Sequence, residues 1–465
     1  MRKLLKHRNA RRYLIGQSFS LFGDTAMFLA MGIWVKVLTG SNGEAGLVFF
    51  AFGVAALLSP LAGMVVDRLP RRPLLFWSNL GGGGVVLLLL LVHGRGQLWL
   101  IYAVAFLYGL AYTFLSAGQS ALLKLMLPDE LLGDARGMLS TVREGLRLFG
   151  PLTGAGLFAL AGGGVVAIVD AATFVIAAGS LLLVRVEEAK AEPEDVHWFV
   201  EVTAGIRHIW SSIVLRQMII AGGITLLVVG FSESICFAVV SDGLHRPPTF
   251  LGVVIAVQGV GAILGGPTAA PLARRIGEGP LMGLGLILVA AGAGLFAIPA
   301  LAGVMPGAIL FGVGIPWIVV GAYTMLQRLT PLELQGRVSA AADTVLSTPQ
   351  VLSIAVGAWL IGIVNYRILL AVMSGTVLVA AAYLLSRKEQ WVKLPSLAAE
   401  LVVEPVASAA VEPAAELVVK PVASAAVEPV ASAAGPRVPG AHGAPPLPGL
   451  RGRIGKHRSS SLPRA

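Results

Sequence analysis

Apolar residues along this chain fall into blocks of about twenty, each bounded by short basic, polar or glycine- and proline-containing segments. At 1.5 Å per residue, such a block is long enough to cross about 30 Å of hydrocarbon as a helix, which satisfies its own backbone hydrogen bonds. The pattern predicts helices over residues 13–38, 44–66, 73–93, 97–126, 138–160, 164–185, 215–240, 249–273, 280–300, 303–327, 338–363 and 366–386. The first run, Tyr13 to Leu38, follows a basic segment holding Arg2, Lys3, Lys6, Arg8, Arg11 and Arg12. It is too long for the apolar core of a cleaved signal and it contains Asp24, so a retained first helix is expected.

Internal repetition divides the chain. Leu127-Pro128-Asp129-Glu130-Leu131-Leu132-Gly133 is echoed by Thr330-Pro331-Leu332-Glu333-Leu334-Gln335-Gly336, and Thr141-Val142 by Thr344-Val345. Phe22, Asp24 and Phe28 likewise correspond to Phe231, Glu233 and Phe237, which predicts two six-helix halves repeated in the same orientation. The expectation is an all-α membrane protein with twelve transmembrane helices in two six-helix bundles, residues 1–186 and 215–390. Residues 187–214 read as an acidic linker that ends in an amphipathic helix bearing Val202, Ile206, Ile209 and Trp210. Residues 391–465 are low-complexity Ala, Val, Pro and Glu with a basic close, and read as a disordered C-terminal tail.

Composition agrees: 56% of the 465 residues are hydrophobic, 13% are charged and Gly numbers 57, which leaves too little polar surface for a soluble fold of this size. The net charge of +10 does not point to nucleic acid, because Arg68, Arg71, Arg72, Lys124, Arg136, Arg274, Arg275, Arg328 and Arg337 fall in alternate loops, with Arg95, Arg246 and Arg367 as exceptions in the loops between. The alternate loops, both termini and the linker are therefore expected on the cytoplasmic side of a bacterial plasma membrane. No nucleotide loop with its lysine and no metal-ligand spacing occurs, so neither cofactor nor metal is expected and the chain does not read as an enzyme.

The loop after the second predicted helix reads Gly63-Met64-Val65-Val66-Asp67-Arg68-Leu69-Pro70-Arg71-Arg72. It resembles the GxxxDRxxRR loop of the major facilitator superfamily. Phe22-Gly23-Asp24, the Leu127 to Gly137 loop, Gly150-Pro151 and Asp170-Ala171-Ala172-Thr173-Phe174 are similar to the macrolide-efflux and enterobactin-exporter group within it. The resemblance covers about residues 10–388 and implies two helical bundles around a central cavity and proton-coupled export of drugs or metabolites. It also implies that Gly63, Asp67, Arg68, Arg71 and Arg72 form a cytoplasmic gating motif, with Asp67 latching the start of the eleventh helix near Arg337 to Ser339. Gly150, Pro151 and Gly154 resemble the antiporter motif of the fifth helix, a segment that close packing of small residues explains as well. In the second half Ala269 and Ala273 replace Gly63 and Asp67, so one strong latch is expected.

Ionisable residues within spans are costly, about 2.5–3.5 kcal/mol each on insertion scales, and so are functional candidates. Asp24 and Glu233 lie midway along the first and seventh helices and are candidates for carrying the coupling proton or attracting a cationic substrate; a satisfied interhelical contact is the structural alternative. Arg143 and Arg147, four apart beside Glu144, offer a basic face, and Gln17, Gln119, Gln258, Trp317 and Tyr323 are further cavity candidates. Lys36 is expected to snorkel at the end of the first helix, and Asp170 to be structural. The expected partners are a small-molecule substrate, protons and the lipid bilayer, for a chain that acts as a monomer and binds no nucleic acid. Import, facilitated diffusion, or a sensor or lipid-handling role on the same fold are the other readings.

Overall fold

The computed structural model describes residues 4, 6–184, 186 and 198–391; the linker over 187–197 and the tail from 392 lie outside the described residues. Every regular element among the described residues is helical. In chain order the α-helices are α1 (Arg8–Thr39), α2 (Asn42–Ala56), α3 (Ser59–Arg68), α4 (Arg71–Leu87), α5 (Leu98–Met126), α6 (Asp129–Leu182) and α7 (Trp198–Ser211). They continue as α8 (Ile213–Val229), α9 (Ser232–Ala238), α10 (Leu251–Ile276), α11 (Glu278–Phe296), α12 (Leu301–Arg328), α13 (Gln335–Leu360) and α14 (Tyr366–Leu385). Among the described residues, nine helices are long and apolar enough to cross a membrane, which makes this a multi-pass membrane protein.

Breaks in the helices have local causes. The stretch expected over 44–66 divides into α2 and α3 where Pro60, at the first turn of α3, has no N–H to continue the ladder. The stretch over 215–240 divides into α8 and α9 at Gly230, where a Cβ would come within 2.7 Å of the Gln350 carbonyl and of Ser353. α1 ends at Gly40, whose φ of 74° is left-handed and whose N–H returns to the Lys36 carbonyl at 2.8 Å. The Lys36 ammonium turns back to the Gly40 carbonyl at 2.7 Å, so this buried cation neutralises the negative end of its own helix.

The expected spans over 138–160 and 164–185 form the single long run α6, and the loop between them reduces to one non-helical residue, Gly162, at φ 77° and ψ 172°. That region is open essentially to glycine alone. A straight helix of this length would reach about 80 Å. Instead α6 folds back on α1: Gly150 and Gly154 meet Thr25 and Ala26, Gly163 meets Trp34, and then Thr173 returns to Gly23 and Ser180 to Gly16. The two limbs thus run antiparallel along α1, and glycines on both sides let the backbones approach.

Two large hydrophobic clusters follow. One is drawn from residues 4–186, around Tyr13, Leu14, Met27, Leu75, Ile101 and Phe174. The other is drawn from residues 202–384 and recruits Leu29, Ile33, Ala45, Phe49 and Ala155 from the first half. These five residues join the halves through packing rather than charge.

The loops that carry Arg12, Arg68, Arg71, Arg72, Arg328 and Arg337 lie at one end, here called the basic end, whereas Arg95, on the Leu38 and Thr39 carbonyls, and Arg367, beside Asp242, lie at the other. Arg72 donates to the Leu181 and Leu182 carbonyls at 2.9 and 3.0 Å, and Arg12 to Leu183 at 2.7 Å, so these arginines bind the carboxyl end of α6. Helix α7 buries Val202 and Ile209 and leaves Trp210 half exposed. It packs on α13 and α8, with Gly205 against the Arg337 carbonyl and His208 Nε2 3.0 Å from that of Leu329. Protein therefore covers Val202 and Ile209, while Ile206 and Trp210 of the same helix stay exposed. An ion pair not foreseen from sequence joins α11 to α12: Arg328 Nη1 lies 2.6 Å from Glu278 Oε1, with the side chains 25% and 6% exposed.

Arg328→Met is expected to destabilise the protein by about 3 kcal/mol, because it removes a cation from a buried carboxylate. The double variant Arg328→Met/Glu278→Leu should recover part of that loss, as measured by thermal unfolding in detergent. A double variant less stable than Arg328→Met would contradict this account.

Candidate functional site

The first and second halves meet along a seam between α1, α2 and α6 on one side and α9, α10 and α13 on the other. At the end opposite the basic loops, Asn42 Nδ2 donates to Asp242 Oδ2 at 3.0 Å and Ser241 Oγ donates to Asn42 Oδ1 at 3.2 Å. Beneath these polar contacts, Gly46 lies against Ser234, Gly43 against the Ala358 carbonyl, and Gly252 against Pro151 and Ala155. The rings of Phe49 and Phe237 stack across the seam at 6.2 Å. Toward the basic end Glu144, Arg147, Asp343 and Thr348 are exposed.

An aromatic layer underlies this closure. Phe28 lies 4.8 Å from Phe49 and 5.1 Å from Phe52, while Phe52 is 6.3 Å from Tyr108 and Tyr108 is 5.8 Å from Phe174. The rings form a continuous path from the interior of the first half to Phe237 on α9. Such edge and tilted contacts are individually worth about 0.5–1.5 kcal/mol; Phe49, Tyr108, Phe174 and Phe237 are buried, and Phe28 and Phe52 are half-buried.

Asp24 sits at the first-half end of this layer. Its Oδ1 is 2.7 Å from the Tyr108 hydroxyl, which is also 3.0 Å from Asp170 Oδ2. Thr173 Oγ1 is 3.4 Å from the other Asp170 oxygen and donates to the Asp170 carbonyl at 2.7 Å. A Cβ on Gly23 would strike both Asp170 and Thr173. The Phe22-Gly23-Asp24 and Asp170 to Phe174 segments are therefore one structural unit, with Tyr108 of α5 closing it. Arg143 of α6 lies within electrostatic reach of Asp24, and among the described residues its Nε has no hydrogen-bond partner. A recess of about 390 Å³ between α1 and the two limbs of α6 is bounded by Phe22, Gly154, Gly156, Leu157 and Val169, with Asp170 as its one ionisable side chain.

Glu233 lies at the start of α9, half-buried, four residues before Phe237. No group among the described residues hydrogen-bonds its carboxylate. It stands one helical turn before Phe237, the second-half end of the aromatic layer, whereas Asp24 is hydrogen-bonded to Tyr108 of that layer in the first half.

The other candidates are dispersed. Gln17 and Gln119 are buried and Gln258 is half-buried. Arg147 pairs with Glu144 at 3.5 Å, both exposed. Trp317 donates to the Gly265 carbonyl at 3.1 Å and to Thr268 at 3.0 Å, which fixes it on α10, and Tyr323 donates to Asp343 at 3.2 Å. Pro151 faces Gly252 of the second half, whereas Gly150 and Gly154 face α1. A Cβ on Gly63 would meet open space; Arg68 is exposed, and Arg71 and Arg72 are half-buried. The Asp67 side chain lies outside what is described. Sequence reasoning missed Tyr108 and the joining of Asp170 to Asp24, although each stands in an apolar span where a polar group needs a partner.

The sequence model of the Major Facilitator Superfamily matches residues 13–241 and 224–431. The chain is 22% identical over 358 residues to the uncharacterized MFS-type transporter YfiS of Bacillus subtilis (strain 168), across 74% of this chain and 84% of that protein. It is 28% identical over 281 residues to the multidrug resistance protein MdtG of Serratia proteamaculans (strain 568), across 57% of this chain and 64% of that protein, so less than two thirds of that relative is spanned. Among solved structures, a bacterial homologue of the iron transporter ferroportin in an inward-facing state superposes with a TM-score of 0.62 at 19% identity, over 82% of this chain and 99% of that one.

Gly23→Ala should lower stability by about 1–3 kcal/mol, because its methyl group collides with Asp170 and Thr173. Gly84→Ala, whose Cβ points into open space, should be neutral or stabilising. Equal thermal midpoints for the two variants would count against the α1–α6 contact.

Proposed function

The chain belongs to the Major Facilitator Superfamily, and we propose that it exports apolar small molecules from the cell in exchange for protons. In this proposal the helices make twelve crossings as two six-helix bundles, residues 1–186 and 215–390, joined by the 187–214 linker and followed by a cytoplasmic tail. The protein works as a monomer in the bacterial plasma membrane, with the basic end and both termini in the cytoplasm. The Asn42–Asp242 end faces outward, so the conformation described here is closed outside and receives substrate from within. Alternating access follows from rocking of the halves about the glycine contacts between α6 and α10.

The observation that carries the proposal is the placement of Glu233, a half-buried carboxylate with no hydrogen-bond partner among the described residues, one helical turn before Phe237 of an aromatic layer whose Tyr108 is hydrogen-bonded to Asp24. An unpaired carboxylate in a membrane helix costs several kcal/mol unless it gains a proton or a cationic ligand, and exchange between the two couples transport to protons. Similarity to a multidrug resistance protein supports export and an apolar, varied substrate class. A proton entering across about 100 mV supplies about 2.3 kcal/mol, and one pH unit about 1.4. Together these sustain roughly a 500-fold gradient of a neutral substrate at one proton per molecule. Asp67, in this proposal, latches the basic end when it closes, against the start of α13.

Cells lacking other efflux pumps should accumulate less of a macrolide and of ethidium when they carry the gene, and a protonophore should abolish the difference. Accumulation raised by the gene would instead indicate import. In reconstituted vesicles Glu233→Gln should still bind a neutral macrolide but lose at least tenfold in uphill transport, whereas a wild-type rate would remove Glu233 from coupling. Cysteines at Glu194, Asp242 and Ser424 should be labelled from outside only at position 242, and exterior labelling at either other position would overturn the assigned orientation.

A further inference from the structure

The Tyr108 hydroxyl contacts two carboxyl groups, Asp24 Oδ1 at 2.7 Å and Asp170 Oδ2 at 3.0 Å. A phenol has one proton to donate. It can satisfy only one ionised carboxylate, and the other contact is a hydrogen bond only if that carboxyl donates to the phenolic oxygen. The shorter contact suits a charge-assisted bond to an ionised Asp24, and the longer one a protonated Asp170. The surrounding charges agree. α1 is packed by α6, α2 and α5, and the titratable or charged groups from these helices that act on Asp24 and Asp170 are Arg143 and Tyr108. Two ionised aspartates against one arginine would leave a net negative charge in a membrane interior; one retained proton makes the group neutral.

We infer that Asp24, Tyr108 and Asp170 hold one proton in common, and that Tyr108 relays it between the buried Asp170 and the more accessible Asp24. In the relay the Asp170 O–H bond breaks as that proton joins the phenolic oxygen, while the original phenolic proton passes to Asp24, so Tyr108 ends neutral and the carboxyls exchange charge. Asp170 is 1% exposed and Asp24 is half-buried, which makes Asp170 the store and Asp24 the point of exchange. This inference rests on the proton-coupled reading above and assigns to it a second proton site besides Glu233.

The test is infrared spectroscopy of the ligand-free, full-length protein in nanodiscs, in a Glu233→Gln background that removes the other candidate carboxyl. At neutral pH a protonated-carboxyl C=O band is expected. Asp170→Asn should remove it, because the amide donates to Tyr108 in place of the acid and keeps the geometry. Tyr108→Phe should shift it, because the ring packing stays while the hydrogen bond is lost. Thermal midpoints report whether either variant is folded. A band left in place by Asp170→Asn, or unshifted by Tyr108→Phe, overturns the inference. The band needs no substrate, so the predicted infrared changes in a chain without proton-driven efflux would overturn the efflux proposal alone. Efflux without those changes would leave export standing and remove the shared proton.

Discussion

The structure depends on the approach of α1 to both limbs of α6. Hydrocarbon solvates apolar side chains as well as protein does, so helices in a membrane associate through tight van der Waals contact and polar pairing. Here the contact is made where side chains are absent: Gly16 and Gly23 on α1, Gly150, Gly154 and Gly163 on α6. Without these gaps Asp170 and Asp24 would not share a hydroxyl, and Pro151 would not stand against Gly252 of the other half.

The same economy governs the seam. Hydrophobic and aromatic packing joins the halves, with Leu29, Ile33, Ala45 and Phe49 of the first merging into the core of the second. The polar contacts Asn42–Asp242 and Ser241–Asn42 at the end add little energy at an exposed site. The buried ion pair Glu278–Arg328 lies within the second half, between α11 and α12. Strong polar links hold each half together and weak ones join the halves.

Much of the fold is legible in the chain because lipid enforces a simple code: apolar blocks of a fixed length, basic loops at one end. The helix breaks at Leu57–Leu58 and Gly230 were less legible, whereas the turn at Gly162 falls between the expected spans 138–160 and 164–185. Pro60 announces the first, but the place of Gly230 against Gln350 depends on a neighbour more than a hundred residues away. The site was legible in part. Asp24 and Glu233 stand out as charges within apolar runs, Asp24 on Tyr108 of the aromatic layer and Glu233 one turn before Phe237. The polar atoms of Trp317 and Tyr323, two of the cavity candidates, are engaged by Gly265, Thr268 and Asp343. Nothing in spacing links Tyr108 to two aspartates on other helices, since the link arises only when α5 packs beside α1 and the second limb of α6.

The one-residue turn at Gly162 bears on how the chain is made. With no loop between them, the two limbs of α6 enter the bilayer as a hairpin rather than one at a time. Asp170 travels in the second limb, and its partners Asp24 and Tyr108 precede it on the ribosome. By the time this carboxyl leaves the insertion machinery, the Tyr108 hydroxyl that hydrogen-bonds it is already in the membrane. The order of synthesis therefore spares the cell from holding an unpaired acid in lipid, a burden that a permuted chain beginning after Tyr108 would have to bear.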